Sequence, residues 1–272
     1  MRRPIAVGLT ACTALAGALL SGCGGGEETS ILDKDTLVAG VRPDLPGIGI
    51  KRPDGTFEGL DVDVSRYLAQ RMGKKVRFVP ALAQDRERLL QEGQVDMVLT
   101  FWLEPEWKQR LAFAGPYVLS YQDILIRDGE KDVEDVKDLA RRNICAVTGS
   151  GAADAVIVER EVPAVPVAAR SYDDCVTMLR DGRIDAITTN DTILAGLKTR
   201  AGAGFRLLNS RFGERRTGIA IRRGDPDGCE ALNRAITQMY QDGTMAKFMR
   251  TWFGASGLDL SDVEIPQFEG CL

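Results

Sequence analysis

The chain has 272 residues, with 35 Lys and Arg against 39 Asp and Glu, a formal net charge of −4, and no histidine. An acidic chain without a basic block is a poor partner for nucleic acid. The absence of histidine removes Ser-His-Asp and Cys-His catalysis, histidine general bases and histidine-containing metal sites. With 44% hydrophobic residues the chain can build a real core. No metal site, cofactor motif or catalytic pair stands out.

In chain order, the first segment does not belong to the fold. Arg2 and Arg3 carry the only charges before Cys23, and an apolar stretch from Ile5 to Leu20 follows them, the shape of a signal peptide. Gly8, Thr10, Cys12, Thr13 and Gly17 interrupt that stretch, which is short for a span of about 20 apolar residues. It ends in Leu20-Ser21-Gly22-Cys23, which resembles the lipobox of bacterial lipoproteins, whose cysteine is diacylated and becomes the first residue. Residues 1–22 are therefore expected to be a signal peptide. Residues 23–35, opening with Gly24, Gly25, Gly26, Glu27, Glu28 and Thr29, are expected to be a lipidated flexible tether. No other stretch could span a membrane, so the expected anchor is lipid on Cys23 and the expected location is the extracytoplasmic face of the cell membrane. Loss of Arg2 and Arg3 with the leader changes the formal net charge from −4 to −6. The remaining ~250 residues favour one large or two medium domains.

Leu37 to Val41 reads as a buried strand. Val64, Tyr67, Leu68 and Met72 fall on one face of a helix that Gly73 closes, and Val76 to Val79 reads as the next strand. This βαβ logic implies a mainly parallel sheet covered by helices. An internal echo extends it: Leu90-Gln91-Glu92-Gly93-Gln94-Val95-Asp96-Met97-Val98-Leu99-Thr100 matches Leu179-Arg180-Asp181-Gly182-Arg183-Ile184-Asp185-Ala186-Ile187-Thr188-Thr189 in one register. Each copy is a helix end, a glycine cap and a buried strand. A generic helix-Gly-strand junction would look the same; the sharper reading is two lobes of similar build, enclosing a solute beyond the strand ends at Thr100 and Thr189. With Cys12 and Cys23 accounted for, Cys145, Cys175, Cys229 and Cys271 remain, an even number in an exported chain, so disulfides are the default. Three pairings are open.

The chain resembles the family 3 extracellular solute-binding proteins of polar amino-acid ABC importers, from about Thr36 to Phe253. The resemblance rests on Pro53-Asp54-Gly55-Thr56-Phe57-Glu58-Gly59-Leu60-Asp61-Val62-Asp63, Ala112-Phe113-Ala114-Gly115-Pro116-Tyr117, Val147-Thr148-Gly149-Ser150, Gly182-Arg183-Ile184-Asp185-Ala186 and Arg223-Gly224-Asp225-Pro226-Asp227, in that order and spacing. The stretch Arg42-Pro43-Asp44-Leu45-Pro46-Gly47-Ile48-Gly49-Ile50 and the Cys145/Cys175 pair resemble the family's glutamate-binding lipoproteins. The resemblance implies an α/β, two-lobed periplasmic-binding-protein-like fold (type II) with two crossover strands. Lobe 1 would hold residues 36–118 plus 218–272, and lobe 2 residues 119–217. Cys145 with Cys175 then closes a modest loop in lobe 2 and leaves Cys229 to tie down the tail at Cys271. Ile236, Met239, Tyr240, Phe248, Met249, Trp252 and Phe253 read as core of the C-terminal helices. The implied function is a monomeric, lipid-anchored, non-enzymatic receptor for a small polar solute (an amino acid or analogue), partnered by an ABC permease and ATPase.

The expected ligand site comprises Arg42, Asp44, Thr100, Trp102, Trp107, Gly149, Ser150, Thr189, Asn190 and Asp191. It departs from the family pattern. By spacing from Phe113, the arginine that grips the ligand's α-carboxylate bidentately is Trp107, and the hydroxyl positions before it are Trp102 and Glu104. The aspartate for the α-ammonium falls on Asn190 with Asp191 adjacent, one hydroxyl is missing from Gly149-Ser150-Gly151, and the stacking aromatic falls on Leu45. Either Arg42 or Arg110 does the missing arginine's work and the ligand is glutamate or a relative, or the pocket has changed ligand or lost high-affinity binding. The second case would make the chain a signalling or partner-binding lipoprotein. A periplasmic dehydratase-like enzyme is a further alternative of the same fold.

Overall fold

The computed structural model describes residues 30–256, 258, 260 and 263–271. The signal segment 1–22, the lipidation cysteine Cys23 and most of the tether lie outside the described residues. Among the described residues no helix is long and apolar enough to cross a membrane.

The first βαβ unit forms where the apolar pattern places it: β1 (Thr36–Val41), two short strands β2 (Asp44–Leu45) and β3 (Gly49–Lys51), then β4 (Phe57–Glu58), α1 (Leu60–Arg71) and β5 (Lys75–Pro80). Leu60, Val64 and Leu68 bury one stripe of α1, and β1 pairs parallel with β5 from Thr36↔Lys75 to Val41↔Pro80. The echo is structural as well. The helix α2 (Arg86–Gln91) leads through Gly93 to β6 (Met97–Trp102), followed by the short α3 (Pro105–Lys108). The 16-residue β7 (Ala112–Arg127) then leaves this half of the molecule. In the second half come β8 (Asn143–Val147), α4 (Ala152–Ile157), β9 (Val165–Ala169), α5 (Tyr172–Arg180), β10 (Ala186–Asn190), α6 (Asp191–Ala201) and β11 (Phe205–Leu207). Gly93 and Gly182 occupy matching left-handed positions, at φ +68° and +72°. The strands that follow them run one or two residues past the threonines taken as their ends, β6 to Trp102 and β10 to Asn190. The return is made by β12 (Phe212–Ile221), and α7 (Pro226–Gln241) and α8 (Thr244–Phe253) complete the first half.

One sheet in the order β5-β1-β6-β12-β7-β10-β8-β9 therefore runs through the molecule, with β7 and β12 as the two strands shared by both halves. At its outgoing end β7 pairs Ala112 to Ala114 with Ile221 to Ile219 of β12, and at its far end it pairs Ile124 to Ile126 with β10. The C-terminal helices bury Ile236, Met239, Met249 and Phe253, as the 3.6-residue spacing requires.

Both disulfides link the expected partners, Cys145 to Cys175 within the second half and Cys229 to Cys271, each with Cα atoms 5.8 Å apart. Closing ~30 and ~42 residues in the unfolded chain contributes roughly 3.6 and 4 kcal/mol respectively on a loop-entropy basis. The second bond holds the tail in register with the first half: the Glu269 N–H donates to the Gly115 carbonyl at 3.1 Å, and Arg216 pairs with the Glu269 carboxylate at 2.8 Å.

Candidate functional site

The carboxyl ends of β6 and β10 face each other across a cleft, the place where an open α/β sheet presents backbone and side chains to a ligand. On the β6 side the chain is strained. Thr100 has φ +56°, costly for a β-branched residue and characteristic of functional sites. A buried network holds it there. The Thr100 hydroxyl donates to Asp61, the Tyr117 hydroxyl donates to Asp61 at 2.6 Å, and the Thr100 N–H donates to the Tyr117 oxygen at 3.2 Å. Burial pushes the Asp61 carboxyl up to about 6, against the opposing hydrogen bonds from Thr100 and Tyr117.

That strain turns the Thr100 carbonyl toward Arg86, the first residue of α2. The Arg86 guanidinium donates to the Thr100 carbonyl, to Gly149 at 3.0 Å and to Ala83 at 3.2 Å, and it lies 4.0 Å over the Phe101 ring. Among the described residues no carboxylate lies within ion-pair distance of it. Its pKa falls to about 9, first because burial disfavours the cation and then because Arg42 is nearby. Arg42, by contrast, is satisfied: its Nε and Nη2 bond both oxygens of Asp44 at 2.9 and 2.8 Å, a bidentate pair. The two buried guanidiniums thus differ in kind, one neutralised and one open to an anion.

The cleft encloses about 60 Å³ between Arg42, Arg86, Thr100, Trp102, Glu104 and Trp107 on one side and Gly149, Ser150, Gly151, Tyr172, Thr189 and Ile193 on the other. Of the residues expected at the site, Arg42, Thr100, Trp102, Trp107, Gly149, Ser150 and Thr189 line it, and Asp44 stands behind Arg42. Asn190 lines a narrow adjoining void that shares Thr100 and Ile193 with the cleft. Its Oδ1 is buried and accepts no hydrogen bond among the described residues. Asp191 goes elsewhere. It faces Arg211 at 3.2 Å and a separate cavity of about 330 Å³ between the crossover strands and the C-terminal segment. That cavity is larger, but the paired strand ends do not converge on it. Arg110 is also outside the cleft, tied to Glu87 at 2.6 Å. Trp107 lies edge-on to Phe101 with ring centres 5.3 Å apart.

Three cleft residues, Arg86, Tyr172 and Ile193, escaped the sequence reading. Tyr172 lies within 3.1 Å of the Ser150 hydroxyl, and the Arg42 guanidinium sits 5.8 Å from its ring centre. Arg86 carried a signal that could have been used: it shares a helix face with the buried Leu89 and Leu90, so an arginine stands in a core stripe.

The two sides touch directly. A Cβ on Gly149 would stand 2.6 Å from the Gln84 nitrogen, and one on Gly196 in α6 would collide with the Pro46 carbonyl oxygen. The structure is therefore a closed form, in which glycines permit backbone contact across the cleft.

The family model for bacterial extracellular solute-binding proteins, family 3, matches residues 37–255. The glutamate-binding protein GluB of Corynebacterium glutamicum is 32% identical over 256 residues, 87% of this chain and 86% of that one. The glutamine-binding protein GlnH of Bacillus subtilis is 28% identical, covering 82% of this chain and 83% of its own. Among solved structures, an ancestral arginine-binding protein bound to arginine superposes with a TM-score of 0.73 at 28% identity, over 81% of this chain and 99% of that chain. An ancestral amino acid-binding protein described as a precursor of cyclohexadienyl dehydratase gives 0.75 at 28% identity, over 83% and 100%.

Proposed function

Because the chain belongs to the bacterial extracellular solute-binding proteins of family 3, we propose that its cleft takes an amino-acid solute bearing a carboxylate, with L-glutamate the first candidate, and delivers it to an ABC permease and its ATPase. Membership in that family makes it an extracytoplasmic binding protein rather than an enzyme. The observation that carries the ligand class is Arg86, a buried guanidinium in the cleft with no carboxylate beside it among the described residues. A ligand carboxylate would complete it, as a buried charge requires.

The altered residues set the second half of the reading. With Trp107 where relatives are expected to carry the arginine for an α-carboxylate, that end of the ligand is left to hydroxyls and backbone, so affinity for L-glutamate is expected to be weaker than micromolar. Asn190 offers a neutral acceptor for the ammonium. Calorimetry on the purified chain is expected to rank L-glutamate above L-glutamine and L-arginine. Preference for L-arginine, or silence toward every amino acid at millimolar concentration, would remove this reading. Hydrogen bonds to a charged group contribute roughly 1.5–3 kcal/mol against about 1 for neutral ones. Asn190→Asp is accordingly expected to tighten L-glutamate about tenfold, while glutarate, which lacks the amino group, gains nothing.

Residues 36–118 and 218–272 are proposed as one moving lobe and 119–217 as the other, hinged on β7 and β12. The length of those two strands and the glycine contacts across the cleft support this division. The anchor is proposed as lipid on Cys23, supported by the apolar leader and the small residues before that cysteine. Cys23→Ala is expected to release the processed chain from the membrane fraction. A wild-type chain recovered soluble and unlipidated would refute the anchor.

A further inference from the structure

Arg215, on β12, is 8% exposed and does not itself line the cleft. Its guanidinium lies 4.7 Å from the ring centre of Trp102, the residue at the end of β6 that lines the cleft. From the opposite side of the cleft, Gly151 meets the same indole; a Cβ there would stand 3.6 Å from the ring. Arg215 also bridges two carboxylates that come from different halves of the molecule: Glu159, after α4, at 2.6 Å, and Glu104, just past β6, at 3.7 Å. Gln122 on β7 accepts a third contact at 3.2 Å. Among the described residues the buried Arg215 Nε has no acceptor.

A buried cation with one unmet donor is a poor device for stability, since an apolar side chain of similar volume would avoid the desolvation altogether. Its partners account for it better. We propose that Arg215 is a positioning residue that holds Trp102 as a lid against Gly151 and, by bridging Glu104 and Glu159, couples the lid to closure of the two halves. Its consequence for ligand release rests on the solute-binding reading above. The planar guanidinium suits this work because one face can stack on the indole while its edge bonds carboxylates.

The test is acrylamide quenching of Trp102 in the full chain carrying Trp107→Phe and Trp252→Phe, without ligand. Arg215→Met is expected to raise the quenching constant at least about twofold, and Arg215→Lys, which keeps a cation over the ring, to restore most of the protection. Unchanged quenching in a folded Arg215→Met chain overturns the proposal, even where the melting temperature falls. Should that variant fail to fold, Glu104→Gln with Glu159→Gln leaves the guanidinium in place but removes both carboxylates; it is expected to shift quenching in the same direction, and no shift again overturns the lid. With L-glutamate as probe, stopped-flow fluorescence should show dissociation about tenfold faster in Arg215→Met at an association rate within about twofold of the parent. A parent chain blind to L-glutamate overturns the amino-acid reading instead, while the ligand-free quenching still decides the lid.

Discussion

Replacing Arg86 with alanine is expected to weaken binding of L-glutamate by at least about a hundredfold, because stripping one partner from a buried ion pair costs roughly 3–5 kcal/mol and each 1.4 kcal/mol is about tenfold in affinity. The same guanidinium also links the Thr100 and Gly149 carbonyls across the cleft, so a loss of closure could weaken any ligand. The two causes separate on charge. If Arg86 holds the side-chain carboxylate, Arg86→Ala removes the preference of L-glutamate over L-glutamine; if it serves only closure, both ligands weaken by the same factor. Arg86→Lys keeps the charge but loses the fork that reaches three acceptors at once, and is expected to fall between the two. In the free protein the variant is expected to melt no lower than the parent, since it relieves a cation buried beside Arg42. Isothermal titration with both ligands and a thermal melt would decide the matter.

Gly196→Ala is expected to produce an unusual pairing of effects. The residue lies inside α6, where alanine is favoured over glycine by about 1 kcal/mol, so the open chain should be at least as stable as the parent. In the closed form the added Cβ collides with the Pro46 carbonyl oxygen, and backbone is not free to yield as a flexible side chain would. Closure should be lost and affinity for L-glutamate should drop about a hundredfold or more, with small-angle scattering showing no compaction on ligand addition. A variant that binds like the parent would mean that α6 and Pro46 do not close on one another.

How much of this was legible beforehand differs by residue. The βαβ alternation, the glycine-capped echo at Gly93 and Gly182 and the core stripe of the C-terminal helices are short-range or periodic features, and periodicity survives in the bare sequence; the cysteine pairing came from the family resemblance, because spacing alone left three pairings open. The convergence of Thr100 and Thr189 followed from the echo, because equal builds end their strands at equivalent places. The sequence-level choice between Arg42 and Arg110 as the compensating arginine, however, passed over the residue that the fold brings forward. Arg42 lies in the cleft but is occupied by Asp44, and Arg110 is held outside by Glu87.

The sequence by itself determined the class of fold and the family resemblance, since each is a matter of residue type and spacing along the chain. Tertiary structure decided which charges are free. Whether an arginine can receive an anion depends on its neighbours in space: Asp44 neutralises Arg42 and Glu87 draws Arg110 away, while Arg86 reaches carbonyls at Thr100 and at Gly149, 63 residues further along the chain. The fold also decided direction. Asn190 and Asp191 are adjacent, yet Asn190 ends β10 facing the cleft side and Asp191 opens α6 toward Arg211. The chain passes from strand to helix at this point, so a one-residue step separates a candidate ligand contact from an ion pair with Arg211.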